Sequence, residues 1–295
     1  MTDFEPDGPP IPGIEGLPRS IEPSRDLWPG VRRRMHRRRL FLGGLGLAAA
    51  ALLLLLLVPR GPLVPTFVVA GHPVISRSGV VTDDSSRARL ALTIGDVLVE
   101  PGSDLRVVSI THGEQRFDLR QGTISARVLA PPRVFVVQTP AAVATDLGCA
   151  YLLQVDSQGN GLLRVTAGQV ELATGGRLAI VPAGAVASIR KGFGPGSPRR
   201  EDASPVLVRA LDAVDFGRRE EGGVDSALRA ARVDDALSLW HLLSRVEAGD
   251  RGKVYDRLAH LVPPPASVTR EGVLALDKGM LDLWWNYLPW TGYRK

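Results

Sequence analysis

The sequence predicts an all-β domain followed by a small all-α domain, with one transmembrane helix before both of them. Three patterns carry this prediction. Residues 40–58 are uncharged and mostly apolar, apolar residues alternate with a period of two across residues 65–190, and the period changes to three or four after residue 205. Two domains fit within a chain of 295 residues.

The apolar segment 40–58 is long enough to cross a bilayer. Its 19 residues would form a helix of roughly 28 Å, close to the hydrocarbon thickness of a membrane. A cleaved signal peptide and a buried soluble helix are the alternatives. The 39 residues before the segment are too many for a signal peptide, and the apolar run exceeds the usual length. These features favour a permanent anchor.

A cluster of arginines before this segment predicts the orientation of the anchor. Residues 20–39 contain seven Lys and Arg residues, whereas residues 59–78 contain two. The positive-inside rule then places the N-terminus in the cytoplasm and residues 65–295 in the periplasm of a bacterial inner membrane. The residues assigned this topological role are Arg32, Arg33, Arg34, Arg37, Arg38 and Arg39.

The basic charge of the chain comes from the same cluster. Subtracting its six arginines from the formal net charge of +5 leaves −1. A nucleic-acid-binding protein would instead carry a basic face on a folded module. We therefore expect the membrane, and not a nucleic acid, as the partner of these arginines.

Residues 1–39 predict a disordered cytoplasmic stub with a basic juxtamembrane segment. The first 30 residues contain seven prolines and few apolar side chains, so they cannot bury a core. Within them, Leu27 and Trp28 lie between charged residues and form a candidate protein-binding motif. The alternative is that Trp28 lies at the membrane interface, as aromatic residues there often do.

Residues 65–190 predict a compact sandwich or β-roll of roughly 10–12 short strands. Turn residues separate the alternating runs at spacings typical of hairpins. Residues 157–160 and 174–176 predict two hairpin turns, residues 112–113 predict another, and further glycines predict additional bends. These glycines are Gly102, Gly122, Gly148, Gly168 and Gly184.

Four segments of this region form a recognisable series of strand ends and hairpins. They are Leu119–Gly122, Val137–Pro140, Leu147–Val155 and Val165–Leu172. The series resembles the FecR domain, an extracytoplasmic β domain of bacterial membrane regulators. That family has an L-x-x-G strand end, a V-x-T-P segment, an L-G-T-x-F-x-V strand and a V-x-x-G-x-V-x-L hairpin. Cys149 and Tyr151 stand where the family usually has threonine and phenylalanine.

The resemblance implies a FecR-like fold and a role in transmembrane signalling, in which a cytoplasmic segment controls an extracytoplasmic-function sigma factor. The family's best-known members carry a folded helical sigma-binding module before the membrane. This chain has residues 1–39 in that place, and the stretch Leu17–Gly30 within them lacks the His and Cys residues of zinc-binding anti-sigma proteins. Control of a sigma factor is therefore an expectation from the family alone.

No residue pattern indicates catalysis, a metal or a cofactor, and we expect a protein that is not an enzyme. The carboxylates of the β region have no histidine or nucleophile at a recognisable spacing. The five histidines are scattered, and the single cysteine, Cys149, lies in an apolar strand where we expect a buried thiol. The carboxylates considered are Asp83, Asp84, Asp96, Asp104, Asp118 and Asp146.

The composition of residues 191–204 predicts a linker, and residues 205–295 predict a helical domain. Apolar side chains recur at helical spacing in three segments, for which Asp234 or Asp235 and then Asp277 are candidate N-caps. Trp285 lies off the apolar stripe of the last segment. It is a candidate for contact with a partner or with the β domain.

Two functions fit this organisation. The first is a membrane-anchored FecR-like regulator that senses in the periplasm and acts on a cytoplasmic protein through the stub. The second is a tethered envelope scaffold or binding module, with an envelope protein as its partner and no transcriptional output. Deleting residues 1–30 distinguishes them, because only the regulator would lose its function.

Overall fold

A computed structural model of the chain describes residues 66–70, 73–76, 78–111, 113–217 and 222–289. All of them belong to one compact unit, Gly61–Lys295. The predicted stub and anchor, with Leu27, Trp28 and the six arginines, lie outside the described residues. Among the helices in the described ranges, none is long and apolar enough to cross a membrane.

The first part of the unit consists of strands, as the alternation predicts. Its strands are β1 (Thr66–Ala70), β2 (Val74–Ser76), β3 (Gly79–Val81), β4 (Arg87–Leu92), β5 (Gly95–Val99), β6 (Asp104–Ile110), β7 (Gln115–Val128), β8 (Phe135–Gln138), β9 (Val143–Asp146), β10 (Ala150–Val155), β11 (Gly161–Ala167), β12 (Gln169–Thr174), β13 (Arg177–Pro182), β14 (Ala185–Arg190), β15 (Gly194–Pro195) and β16 (Arg199–Arg200). These 16 strands exceed the predicted number, because segments of two or three residues are too short for alternation to be recognised.

The second part is helical. It contains α1 (Pro205–Phe216), α2 (Gly223–Ala230), a 3₁₀ turn (Val233–Asp235), α3 (Ala236–Leu242), α4 (Ala248–Leu261), α5 (Arg270–Leu274) and α6 (Lys278–Trp285). Asp277 caps α6 as predicted, since its carboxylate accepts from the backbone N–H of Met280 at 2.9 Å. Asp235 precedes α3 but makes no side-chain cap there. Its carboxylate instead accepts from the backbone N–H of Arg232 at 3.0 Å.

The strands pair in two groups, and strand β7 belongs to both. The first group contains β1, β4, β5, β10, β11, β14, β15 and β16, and the second contains β2, β3, β6, β8, β9, β12 and β13. The second half of β7 pairs with β5 and β10, and its first half pairs with β6 and, in parallel, with β8. Gly122, one of the glycines for which the sequence predicts a bend, lies inside β7 with φ of +98°. A Cβ at this position would lie 2.3 Å from the Cα of Ser103. Glycine therefore allows one continuous strand to bend at a close backbone approach.

Both groups of strands contribute to one apolar core. Phe117 and Leu119 from the first half of β7 and Ile124 from its second half are all fully buried in the same cluster. A second buried cluster lies among the helices, around Leu239, Leu258 and Trp284. The predicted turns at 157–160 and 174–176 connect β10 to β11 and β12 to β13.

The predicted linker, residues 191–204, is packed against the sheet. Strands β15 and β16 pair with β14, and the backbone N–H of Gly196 donates to the carbonyl of Ser188 at 2.8 Å. Ser197 is buried. The segment therefore joins the two parts through regular contacts, although its glycines and prolines are typical of a loop.

Candidate functional site at the junction of sheet and helices

Strand β13 forms an edge of the sheet, and the helices cover this edge. Within the described chain, β13 pairs only with β12. The outward backbone N–H of Ile180 donates to Nε2 of His241 at 3.1 Å, and the outward carbonyl of Leu178 accepts from Nη2 of Arg245 at 3.1 Å. Two helical-region side chains thus satisfy backbone groups that an exposed edge would offer to another strand.

Arg245 forms a buried ion pair beside this edge. Its Nη1 lies 2.9 Å from Oδ1 of Asp215, and the two side chains are 4% and 2% exposed. Its guanidinium also donates to the carbonyls of Pro195 at 2.8 Å and Gly196 at 3.3 Å. Burial lowers the pKa of Arg245, and the Asp215 carboxylate opposes that shift. The ion pair therefore comes with several of the hydrogen bonds that a buried charge requires.

Asp215 collects donors from three further groups. Its carboxylate accepts from the backbone N–H of Ser197 at 2.5 Å and from the Ser197 hydroxyl at 3.2 Å. The backbone carbonyl of Asp215 accepts from Nη1 of Arg177 at 2.9 Å. Because Arg177 begins β13 and Asp215 lies in the last turn of α1, these bonds attach α1 to the sheet.

His241 is held as a neutral acceptor. Its Nδ1 lies 3.0 Å from the carbonyl of Leu237, which assigns the proton to Nδ1 and leaves Nε2 free to accept from Ile180. Burial, and secondarily the positive charge of Arg245, lowers the pKa of His241 to about 3. The histidine therefore stays uncharged at neutral pH and completes the edge contact.

Trp285, the candidate contact residue, lies at this junction. It is partly buried and packs against both the strand cluster and the helical cluster. Its ring centroid is 4.8 Å from that of Trp240 and 5.8 Å from that of His241. The structure thus brings Trp285 to the β domain, which is one of the two contacts considered from the sequence. Contact with a separate partner stays a prediction.

A second buried polar cluster lies where β9 turns into β10. Asp146 is completely buried, and its carboxylate accepts from the backbone N–H of Gly148 at 2.8 Å and from the thiol of Cys149. Burial raises the pKa of Asp146 to about 6. Cys149 is buried as predicted. Tyr151 is also buried, and its hydroxyl has no hydrogen-bond partner within the described chain.

This cluster has the chemistry of a structural site. Burial, and secondarily the Asp146 charge, raises the pKa of Tyr151 well above its ordinary value, so the phenol stays neutral. The thiol donates to the carboxylate and is buried, which does not favour a reactive thiolate. In the described ranges, no group of three His, Cys, Asp or Glu side chains is placed to hold a metal.

Four of the five remaining carboxylates considered in the sequence are engaged locally, and the fifth, Asp84, is exposed. Oδ1 of Asp83 accepts from the backbone N–H groups of Ser85 at 2.9 Å and Ser86 at 2.8 Å, and hydrogen bonding, led by Ser86, lowers its pKa to about 2. The other three are paired with neighbouring arginines. The pairs are Asp96 with Arg89, Asp104 with Arg106, and Asp118 with Arg120.

Comparison with known proteins agrees with the resemblance seen in the sequence. Residues 78–171 match the family described as FecR protein. The match runs from the residue before β3 into β12 and contains three of the four segments that carried the resemblance, together with all but the last residue of the fourth. The chain therefore has a FecR-like domain, and this prediction is confirmed. No curated protein matches the chain.

Two similar solved structures come from Parabacteroides distasonis ATCC 8503, and both are named as candidate anti-sigma factors. The structure at 1.65 Å resolution is 18% identical, covers 44% of this chain and 62% of its own, and gives a TM-score of 0.37. The structure at 2.50 Å resolution is 17% identical, covers 49% and 64%, and gives the same TM-score of 0.37. The aligned part is less than two thirds of either protein.

Proposed function

We propose that this FecR-like chain is a single-pass regulatory protein of the bacterial inner membrane. It senses a signal in the periplasm and acts on a cytoplasmic protein, which family membership suggests is an extracytoplasmic-function sigma factor. The FecR match over residues 78–171 is the observation that carries this proposal, because the family is one of membrane regulators.

The membrane topology of the proposal rests on the sequence. The uncharged segment 40–58 and the arginine cluster before it favour an N-terminus in the cytoplasm. The stub is then the only part of this sequence on that side. Leu27 and Trp28 are its best candidates for contact with a cytoplasmic partner, since large apolar side chains commonly anchor such interfaces.

The contacts at the junction of sheet and helices support a proposal for how the periplasmic part transmits a signal. Buried polar contacts tie α1, α3 and the turn after α3 to the edge of the sheet. Relative motion of the two parts would expose the Arg245–Asp215 pair and leave the β13 edge unpaired. We therefore propose that the periplasmic part responds as one body and communicates through the chain that enters β1.

The experiment that tests this function is a pulldown from cross-linked cells. It compares the intact chain with a Leu27→Ala, Trp28→Ala double variant. An Ile11→Ala, Ile14→Ala double variant is the matched control, because it removes two apolar side chains of the stub outside the motif. The proposal expects a cytoplasmic protein with the intact chain and the control, and its loss with the double variant.

The opposite outcome favours the scaffold. If the intact chain recovers only envelope proteins, and the Leu27→Ala, Trp28→Ala variant recovers the same ones, the stub has no regulatory output. The chain would then be a membrane-tethered binding module. Probing the recovered protein for sigma-factor identity separates the specific part of the proposal from the general one.

A further inference from the structure

One end of the sheet carries an apolar tip made from two neighbouring turns. Leu92 ends β4 and Ile94 lies in the β4–β5 turn, both half-buried against the core, and Leu129, Pro131 and Pro132 follow the end of β7. Leu129 is 77% exposed, and both prolines are exposed. A leucine this exposed gains nothing from the core of its own domain, so the tip is an apolar surface that contacts solvent in the isolated unit.

The tip is held rigidly. The backbone N–H of Leu129 donates to the carbonyl of Ile94 at 2.7 Å, which fastens the two turns together. Gly95 pairs with Val128, and Val128 is buried in the core. The apolar side chains are therefore presented by strand ends that the sheet fixes in place.

The chain enters the sheet beside this tip. Thr66, the first residue of β1, pairs with Ala91, and Ala91 directly precedes Leu92. Seven residues, 59–65, separate Thr66 from the last residue of the predicted anchor. A chain of that length spans at most about 25 Å. A bilayer crossed by residues 40–58 therefore lies within reach of the tip.

The charges of the sheet are distributed in agreement with this orientation. Arg127 is exposed two residues before Leu129, where it can meet lipid phosphates. Asp96 lies across from it in register and is paired with Arg89, so this end has two arginines and one carboxylate.

The opposite end of the same strands carries exposed acidic residues, with Asp84 before β4 and Asp156 after β10. One exposed cation, Lys191, lies beside the β10–β11 turn, where its backbone N–H donates to Asn160. An anionic membrane surface therefore attracts the first end more than the second.

We propose that the exposed side chains of the apolar tip, Leu129, Pro131 and Pro132, dock into the headgroup region of the bilayer in which the chain is anchored. This inference rests on the proposed anchoring of residues 40–58. The contact would set the orientation of the periplasmic part, with the β10–β11 turn pointing away from the membrane. A signal that lifts the tip from the lipid would then change the position of β1.

The test uses the full chain reconstituted in vesicles of phosphatidylethanolamine and phosphatidylglycerol. In a Cys149→Ser background, Leu129→Cys and Ser157→Cys each carry one environment-sensitive NBD label, and doxyl-labelled lipids serve as quenchers. Ser157 is exposed in the β10–β11 turn, at the other end of the strands. An interfacial side chain lies about 5–10 Å into the headgroup boundary, so we expect at least about twofold stronger quenching at position 129.

Flotation of the same vesicles separates the two proposals. Weak or equal quenching at both positions, in a protein that floats with the vesicles, would overturn the docked tip and leave the anchor intact. A protein that does not float would overturn the anchoring and the docked tip with it. A label at Pro131→Cys, which is exposed, should lose its blue shift when Leu129→Asp is added. An equal blue shift with and without Leu129→Asp, in a protein that floats, would also contradict the proposal.

Discussion

The guanidinium of Arg245 and the carboxylate of Asp215 meet at 2.9 Å where their side chains are only 4% and 2% exposed. Asp215 lies in the last turn of α1 and Arg245 follows α3, so the pair joins two segments of the helical part. Both residues also bond to the strands, Asp215 through Arg177 and Arg245 through Leu178. The pair is therefore the point at which helices and sheet become one unit.

Removing one partner of this pair should be costly. An Arg245→Met substitution leaves the Asp215 carboxylate buried without its cation, and we expect the free energy of unfolding to fall by about 3–5 kcal/mol. Denaturant unfolding measures the change. The control is Arg87→Met, which breaks an exposed pair with Glu100 and should cost less than about 1 kcal/mol. Equal losses in the two variants would contradict the role of the pair.

The ionisation of His241 and that of Asp146 should make the free energy of unfolding depend on pH in opposite directions. The pKa of His241 falls from 6.5 to about 3 on folding, so its contribution to stability is complete above pH 6.5 and is lost as the pH falls. The pKa of Asp146 rises from 3.8 to about 6, so its contribution is complete below pH 3.8 and is lost as the pH rises. Between pH 4 and 6 the two effects oppose each other.

Single variants should reveal each slope. Other carboxylates with shifted pKa values also titrate in this range, so each variant is compared with the parent. Relative to the parent, the free energy of unfolding of His241→Gln should fall as the pH rises from 4 to 6, and that of Asp146→Asn should rise. Each difference in slope reaches at most about 1.4 kcal/mol per pH unit. Denaturant titrations at four pH values test this, and differences of the same sign in both variants would refute the assignment.

The hydroxyl of Tyr151 should contribute nothing to the stability of the fold. It is buried, and the described residues give it no hydrogen-bond partner. Tyr151→Phe removes an unsatisfied polar atom and keeps the ring, so we expect stability to be unchanged or raised by up to about 1 kcal/mol. Tyr151→Ala, which also removes the ring, should cost about 3 kcal/mol or more. Thermal unfolding compares them, and a substantial loss in Tyr151→Phe would mean that the hydroxyl has a partner.

The side chain of Trp285 should contribute more to stability than that of its exposed neighbour Tyr287. Trp285 packs between the two apolar clusters, whereas Tyr287 is 63% exposed. Trp285→Ala should lower the free energy of unfolding by about 2 kcal/mol or more. Tyr287→Ala should change it by less than about 0.5 kcal/mol. Similar values for the two substitutions would show that the tryptophan does not hold the parts together.

The sequence predicts those features of the fold that depend on neighbouring residues. The turns at 157–160 and 174–176 are recognisable from their glycines, which adopt positive φ in the structure. Asp277 is recognisable as a helix cap because it directly precedes an apolar pattern with helical spacing. Gly122 is predicted as a bend, but the reason for a glycine there is the close approach of Ser103, which is distant in sequence and leaves no local signal. Helix α1 had a local signal that the periodicity missed, namely Ser204 as N-cap followed by Pro205.

The junction could not be predicted from the sequence in the same way. His241 bonds to a residue 61 positions away and Arg245 to one 67 positions away. Neither pairing leaves a spacing pattern, and both arise only when the helices fold onto the β13 edge. Trp285 was selected because it lies off the apolar stripe of its helix, which is a local signal for a second contact surface.

The central claim is that one chain crosses the membrane with its stub inside and its folded unit outside. Ser20→Cys and Ser157→Cys, each in a Cys149→Ser background, can be treated with a membrane-impermeant maleimide in cells with a permeabilised outer membrane. We predict that Ser157→Cys is labelled at once and Ser20→Cys only after the inner membrane is lysed. Labelling of Ser20→Cys before lysis, or of Ser157→Cys only after it, would contradict the claim.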